Sequence, residues 1–254
     1  MDGPHGGLRN VTHADEQFLM FNVFNGEALR DNVRQSALEL ALLADVLDGV
    51  AIDASDCPGA GATAAKLDTS KLALMGHSMG ATIAPLVAAI EPRYRAMIVD
   101  GAGASWIENM VFKLKPVAVR PAIELLLGYA GDRRVLTEND PALTILQWAE
   151  EPADPLVYAR TIVAEPPQGA PLRHVLMEQG IVDHYIMPRI ANAMSLSLGL
   201  DLGGDALDAR AIASGGKDGD LVGQTPIGDV LRYSGRRTVA LPASANGPGG
   251  STAV

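Results

Sequence analysis

Apolar residues change their spacing several times along this chain, and each change marks an element. Across residues 27–48, Leu29, Val33, Ala37, Leu40, Leu43 and Leu47 share one stripe, which predicts an amphipathic helix. Gly49 stands where a C′ glycine would stop it. Lys71-Leu72-Ala73-Leu74-Met75 is a short apolar run of strand length. After Gly76-His77-Ser78-Met79-Gly80 the spacing turns helical over residues 81–90, with Ile83, Leu86, Val87 and Ile90 in phase and Pro92 closing the segment. Pro85 lies inside that helix, removes a bond to the Ala81 carbonyl and is expected to kink it. A second strand is predicted over residues 96–99, ending in Asp100-Gly101-Ala102-Gly103, and a third over residues 174–177. The third leads through the turn Gln179-Gly180-Ile181-Val182-Asp183 to a helix with Pro188 at N1 and Gly199 at its end. Helix and strand alternate, so the expected class is α/β, a mostly parallel sheet with covering helices.

Between these units the pattern is different. Residues 1–26 are hard to read: 17–24 is apolar without clear period and leaves room for one short strand at most. Residues 51–69 are rich in Ala, Gly, Asp and Thr, include Pro58, and read as a loop. Residues 105–171 show no clear strand signal but two strong helix starts, Asp140-Pro141 and Asp154-Pro155, each an N-cap followed by proline at N1. This block reads as a helical cap over the strand ends. Its apolar side chains Ile107, Met110, Phe112, Leu125, Leu126 and Trp148 are expected to line a pocket or, taken singly, to pack the cap on the core. The whole of 1–254 is then one domain, with core 27–104 and 172–254 and cap 105–171.

Composition narrows the partners. At 254 residues with 48% apolar content, the chain is long enough for one large α/β core. A net charge of −10 argues against nucleic acid or an anionic membrane as partner. The pairs Arg133-Arg134 and Arg236-Arg237 are isolated and read as solvated loops. Cys57 is the single cysteine, so no internal disulfide can form and the redox compartment stays open. No apolar run reaches the roughly 18 residues that span a bilayer. The first residues have neither the basic start nor the apolar stretch of a signal peptide.

The candidate chemistry sits in G-x-S-x-G. A serine between a strand and a helix, flanked two residues away by glycines, is the arrangement of a nucleophile elbow. Ser78 is then held on a sharp turn, and Gly76 and Gly80 are expected to lack side chains because strand and helix crowd together there. The turn aims the first N–H groups of the helix at the reacting centre, making Met79 N–H an oxyanion donor. Asp183 follows the nucleophile at a strand end, where loops of a parallel sheet converge. It is the expected orienting acid, with Asp100 as runner-up and a turn-capping role as the plain alternative.

The elbow around Ser78, led in by Asp68-Thr69-Ser70-Lys71, resembles that of bacterial α/β-hydrolases of the esterase/lipase type. Arg30-Asp31-Asn32-Val33-Arg34-Gln35, and Gln179 to Asp183 followed by the Pro-Arg-Ile-Ala-Asn-Ala helix, are similar to segments of that superfamily, and the likeness covers most of residues 27–200. The resemblance implies hydrolysis of a small-molecule ester through an acyl-serine, with no cofactor and no metal. It also implies an order Ser, Asp, His, and here the sequence departs from it. After Asp183 only His184 remains, in the same turn. His77 should point away from the site, His174 opens a strand, and His5 and His13 lie at the front. The expectation is a partial hydrolase fold, truncated at both ends, with the general base missing and activity weak or absent. Residues 238–241 and 251–254 then approach a last strand that does not finish. An open sheet edge prone to self-association follows. The compartment is left open, a cell-envelope or secreted parent included. Three rivals stand beside this reading. One is a non-catalytic binding protein on the same fold. Another is an enzyme drawing its base from His5 or His13. A third takes His5-Gly6-Gly7 as an oxyanion loop, followed by a strand from Phe18 to Phe24.

Overall fold

In the computed structural model, residues 2–61, 63–129, 131, 134–180, 183–204, 238–241 and 251–253 are described. The sequence readings that rest on Ile181, Val182, Arg133, the Arg236-Arg237 pair and the Gly/Pro/Ser stretch near the end lie outside these residues. The chain opens with a 3-10 turn at Gly7–Arg9 and a short helix α1, Glu16–Met20, whose N-cap Asp15 accepts from Gln17 N. Residues 18–24 therefore contain no strand to follow His5-Gly6-Gly7 as the oxyanion-loop reading expected. The apolar residues there pack instead: Met20 is buried, and Phe21 meets the Trp106 ring edge-on at 6.5 Å between centroids.

The long helix α2, Gly26–Gly49, carries the predicted stripe, with Leu29, Val33, Ala37 and Ala44 buried. Asn25 caps it by accepting from Ala28 N at 3.1 Å. Gly49 is the last helical residue rather than a C′ stop, and Val50 is the C-cap. The segment read as a loop holds a two-stranded antiparallel hairpin, β1 (Ala51–Asp53) and β2 (Ala64–Lys66), exposed along its length.

The main sheet is parallel. Its strands are β3 (Leu72–His77), β4 (Tyr94–Asp100), β5 (His174–Glu178), β6 (Leu202–Gly203), β7 (Thr238–Val239) and β8 (Ser251–Ala253), in the order β3-β4-β5-β8-β6-β7. The expected α/β class with a mostly parallel sheet is therefore present. Helix α3, Met79–Ile90, runs unbroken through a buried Pro85 and packs on β3, β4 and α2. Four helices fill the stretch between β4 and β5: α4 (Trp106–Phe112), α5 (Arg120–Leu126), α6 (Pro141–Glu150) and α7 (Pro155–Ile162). Of these, α7 packs against α3 and against α8 (Pro188–Leu198), in the layer on the sheet. As predicted, α8 starts with Pro188 at N1 and ends at Gly199, whose φ of 75° is the left-handed cap.

The helices cover one face of the sheet. Leu74, Gly76, Met97, Val99, Val175 and Met177 point to that side and are buried. On the other side Ala73, Met75, His77 and Ile98 are exposed, Met75 to 81%. β3 also has one neighbour only, β4, so it forms an edge of the described sheet.

One buried acid has an oxygen left without a hydrogen bond among the described residues. Glu150, at the end of α6, is 5% exposed and its Oε2 makes no hydrogen bond. Its Oε1 lies 2.7 Å from where a Cβ on Gly26 would stand, at the start of α2. Burial pushes its pKa up to about 7; Arg30 opposes the shift and Asp31 adds to it. The folded state then binds a proton more readily than the unfolded chain between the ordinary carboxylate range and pH ~7, so stability falls as pH rises through that window. Melting curves across pH should show this slope in the wild type. Glu150→Gln should flatten it and gain on the order of 2 kcal/mol at pH ~8. An unchanged slope would assign the pH dependence to another group.

Candidate active site

The backbone between β3 and α3 reverses within a single residue. Ser78 has φ 51° and ψ −111°, and it is the N-cap of α3. For a residue with a Cβ this conformation costs roughly 1–3 kcal/mol and persists only where the surroundings impose it. They do so on both sides. Ser78 N donates to the Asp100 carbonyl at 2.9 Å, and Ser78 O accepts from Ala81 N at 2.9 Å and Thr82 N at 3.2 Å. The two glycines of the motif then differ. A Cβ on Gly76 would lie 2.3 Å from Gly80 O and 2.8 Å from Ala81 N, whereas a Cβ on Gly80 would meet nothing within 4 Å. The expectation that both positions exclude a side chain for the same reason is corrected: the crowding falls on Gly76 alone.

The Ser78 side chain is exposed at the carboxyl edge of the sheet. Its Oγ has no hydrogen-bond partner among the described residues, and no acceptor there takes the Met79 N–H. A hydroxyl and an unpaired amide at a helix start thus stand side by side, the elements of a nucleophile and an oxyanion donor.

Asp183 lies beyond the end of β5, and its carboxylate is partly occupied by its own turn. Oδ1 accepts from Tyr185 N at 2.7 Å and Ile186 N at 3.0 Å, while Oδ2 has no hydrogen bond among the described residues. The half-buried Lys113 donates its Nζ to the Tyr185 carbonyl at 2.8 Å. Burial pushes its pKa down, against the opposing charge of Asp183. His184 is exposed, and among the described residues no imidazole hydrogen-bonds Asp183.

His77 does meet a carboxylate. Its Nδ1 is 2.7 Å from Asp100 Oδ2. The two residues are register partners on parallel strands, so they leave the carboxyl edge side by side. The predicted strands stopped short of both residues, at Met75 and Val99, so the pair follows only from the longer strands and their register. Gly101, with φ 58°, closes against them. A Cβ there would lie 3.7 Å from Ser78 N and 4.0 Å from His77 Cε1.

The starts of α4 and α7 are tied together by Asp154, which is 1% exposed. Oδ1 accepts from Ser105 N at 3.0 Å and Leu156 N at 2.9 Å; Oδ2 accepts from Trp106 N at 3.0 Å and Gln147 Nε2 at 2.7 Å. The predicted N-cap of α7 thus also anchors the start of α4, where Ser105 has φ 71°. At the other end of α4, the Arg189 guanidinium sits 3.9 Å from the centre of the Phe112 ring and bridges to Glu108 at 2.9 Å. The six expected pocket residues do not behave alike. Met110 is buried, Ile107 and Phe112 are half-buried, and Leu125, Leu126 and Trp148 are exposed. Among the described residues no group of three or more His, Cys, Asp or Glu gathers as a metal site, and no helix is long and apolar enough to cross a membrane.

No protein-family model matches the chain, and no curated protein matches it. Among solved structures it is similar to acetyl xylan esterase 1 from Thermoanaerobacterium sp., at 17% sequence identity and a TM-score of 0.47. The likeness covers 76% of this chain and 52% of that one, so the chain spans about half the length of that esterase.

The elbow yields a direct test. Gly76→Ala should cost on the order of 3 kcal/mol or prevent folding, because the clash is with backbone that cannot swing away. Gly80→Ala should stay within ~1 kcal/mol of wild type. Chemical denaturation of both variants checks this, and equal losses would contradict the asymmetry.

Proposed function

We propose that this protein is a serine hydrolase of the carboxylic-ester type, on an incomplete α/β-hydrolase fold. The observation that carries the reading is the conformation of Ser78: a strained serine between a parallel strand and a helix start, beside the unpaired Met79 N–H. In the proposed reaction Ser78 Oγ attacks the ester carbonyl, its proton passing to solvent water, while the Met79 N–H holds the developing oxyanion. The C–O bond to the alcohol then breaks, the alkoxide taking a proton from water, and a second water hydrolyses the acyl-serine to release the acid. Asp183 is kept as the orienting acid, through its open Oδ2. The substrate is a small-molecule ester, with residues 105–171 as the cap beside it. The position of β3 at an edge and the uncovered sheet face support the view that the fold is partial.

No imidazole bonds Ser78 Oγ among the described residues, so the serine lacks an activating base and turnover should be weak. Hydrolysis of p-nitrophenyl acetate and butyrate should run on the order of 10⁴-fold or more below a complete triad. Ser78→Ala should remove both that residual rate and covalent labelling by a fluorophosphonate. Turnover near the ~10 s⁻¹ of ordinary enzymes, lost in Ser78→Ala, would show that a base is present after all. Hydrolysis and labelling that survive in Ser78→Ala would refute Ser78 as the nucleophile, and their absence from the wild type would transfer the chain to the non-catalytic binding class.

The edge of β3 and its exposed apolar face also support self-association of the chain. Sedimentation velocity should show concentration-dependent assembly in the wild type and its loss in Met75→Glu. A monomer at all concentrations would refute it.

A further inference from the structure

At the amino edge of the sheet, away from Ser78, three arginines meet two carboxylates. Arg93 and Arg95 lie at the start of β4 and Arg173 just before β5. Ala96 is the register partner of His174, so Arg95 and Arg173, one residue earlier on each strand, enter the sheet as neighbours. Both carboxylates of this corner are held by Arg93. Glu91 Oε1 accepts from Arg93 Nε and Oε2 from Nη2, each at 2.8 Å, and Asp45 Oδ1 lies 2.8 Å from Nη1. Arg95 Nε donates to the Leu172 carbonyl at 3.3 Å.

Arg173 is left over. It is 6% exposed, its Nε has no acceptor, and no ion pair reaches it among the described residues. Burial and the charge of Arg95 both push its pKa down, with Glu91 opposing them. A guanidinium does not lose its proton in proteins, so the charge stays and needs a counter-charge. Two forked donors on adjacent strands, one buried and one exposed, suit an oxyanion with several acceptor oxygens. The exposed Arg95 marks the side open to solvent.

We propose that Arg95 and Arg173 form a binding site for a phosphate group, taken either as the free ion or as the terminal group of a small metabolite. The site stands apart from the elbow and is independent of the hydrolase reading. Bound phosphate supplies the missing counter-charge and holds the starts of β4 and β5 together.

Thermal melts of the full chain in increasing inorganic phosphate, with ionic strength held constant by sodium chloride, test this. The wild type should show a saturable rise in Tm. The rise should vanish in Arg173→Gln and need about tenfold or more phosphate in Arg95→Gln. Without phosphate, Arg173→Gln should melt at or above wild type, since it removes an uncompensated buried charge. If Arg173→Gln does not fold, the exposed Arg95→Gln decides by itself. No saturable rise, or the same rise in wild type and Arg95→Gln, would overturn the proposal. With the site established, a phosphomonoester that acts at lower concentration than inorganic phosphate would identify the metabolite form as the better ligand.

Discussion

The approach of Gly76 to the backbone of Gly80 is the constraint from which the rest of the sheet layer follows. Two backbone segments lie so close that a Cβ on Gly76 would fall 2.3 Å from the Gly80 oxygen. That closeness sets the direction in which α3 leaves β3 and so fixes its seat on β3 and β4. It also forces Ser78 into a conformation that side-chain-bearing residues avoid. The strain is balanced locally, because Ser78 N finds the Asp100 carbonyl and Ser78 O closes the first turn of α3. Strand β4 is therefore part of the elbow and not merely its neighbour. Its last residue supplies both that carbonyl and the carboxylate facing His77.

Asp154 performs the corresponding task for the helices between β4 and β5. A buried carboxylate is tolerated only with its acceptor sites filled, and here four donors from three helical regions fill them. The bonds reach across about fifty residues of chain, from Ser105 to Asp154, and hold the positive φ of Ser105 in place. Loss of this carboxylate would leave the N–H groups at the starts of both α4 and α7 unpaired, which is why one aspartate can govern how these two helices are placed against each other.

What was legible in the sequence was what local chemistry determines. The stripe of α2, the strand-turn-helix around Ser78, and the Pro188 start and Gly199 stop of α8 all depend on residues within a few positions of one another. The missed features depend on distant partners. β1 and β2 pair as a hairpin although Ala, Gly and Asp are weak strand formers, and exposed strands carry little apolar pattern to read. Phe21 belongs to a packed turn because Trp106 lies beside it, which no window around residue 21 reveals. The turn bonds of Asp183 are local, to residues two and three positions on, and so lie within reach of a sequence window. The pairing of His77 with Asp100 needed the register of β3 against β4, a tertiary fact.

That register also shows what the uncovered face means. A sheet built to keep one side in water alternates apolar and polar residues, whereas strands buried on both sides read as continuous apolar runs. On the open side stand Ala73, Met75 and Ile98, with half-buried Leu176 beside them. The alternation is absent. Apolar area left in water contributes nothing to folding, at about 25 cal/mol per Å² forgone, and it invites association. The residue choice on β3, β4 and β5 is therefore that of a sheet written for cover on both faces, of which the described helices supply one. The same side carries His77 and Asp100 at its carboxyl edge, so the exposed Met75 face adjoins the turn that holds Ser78.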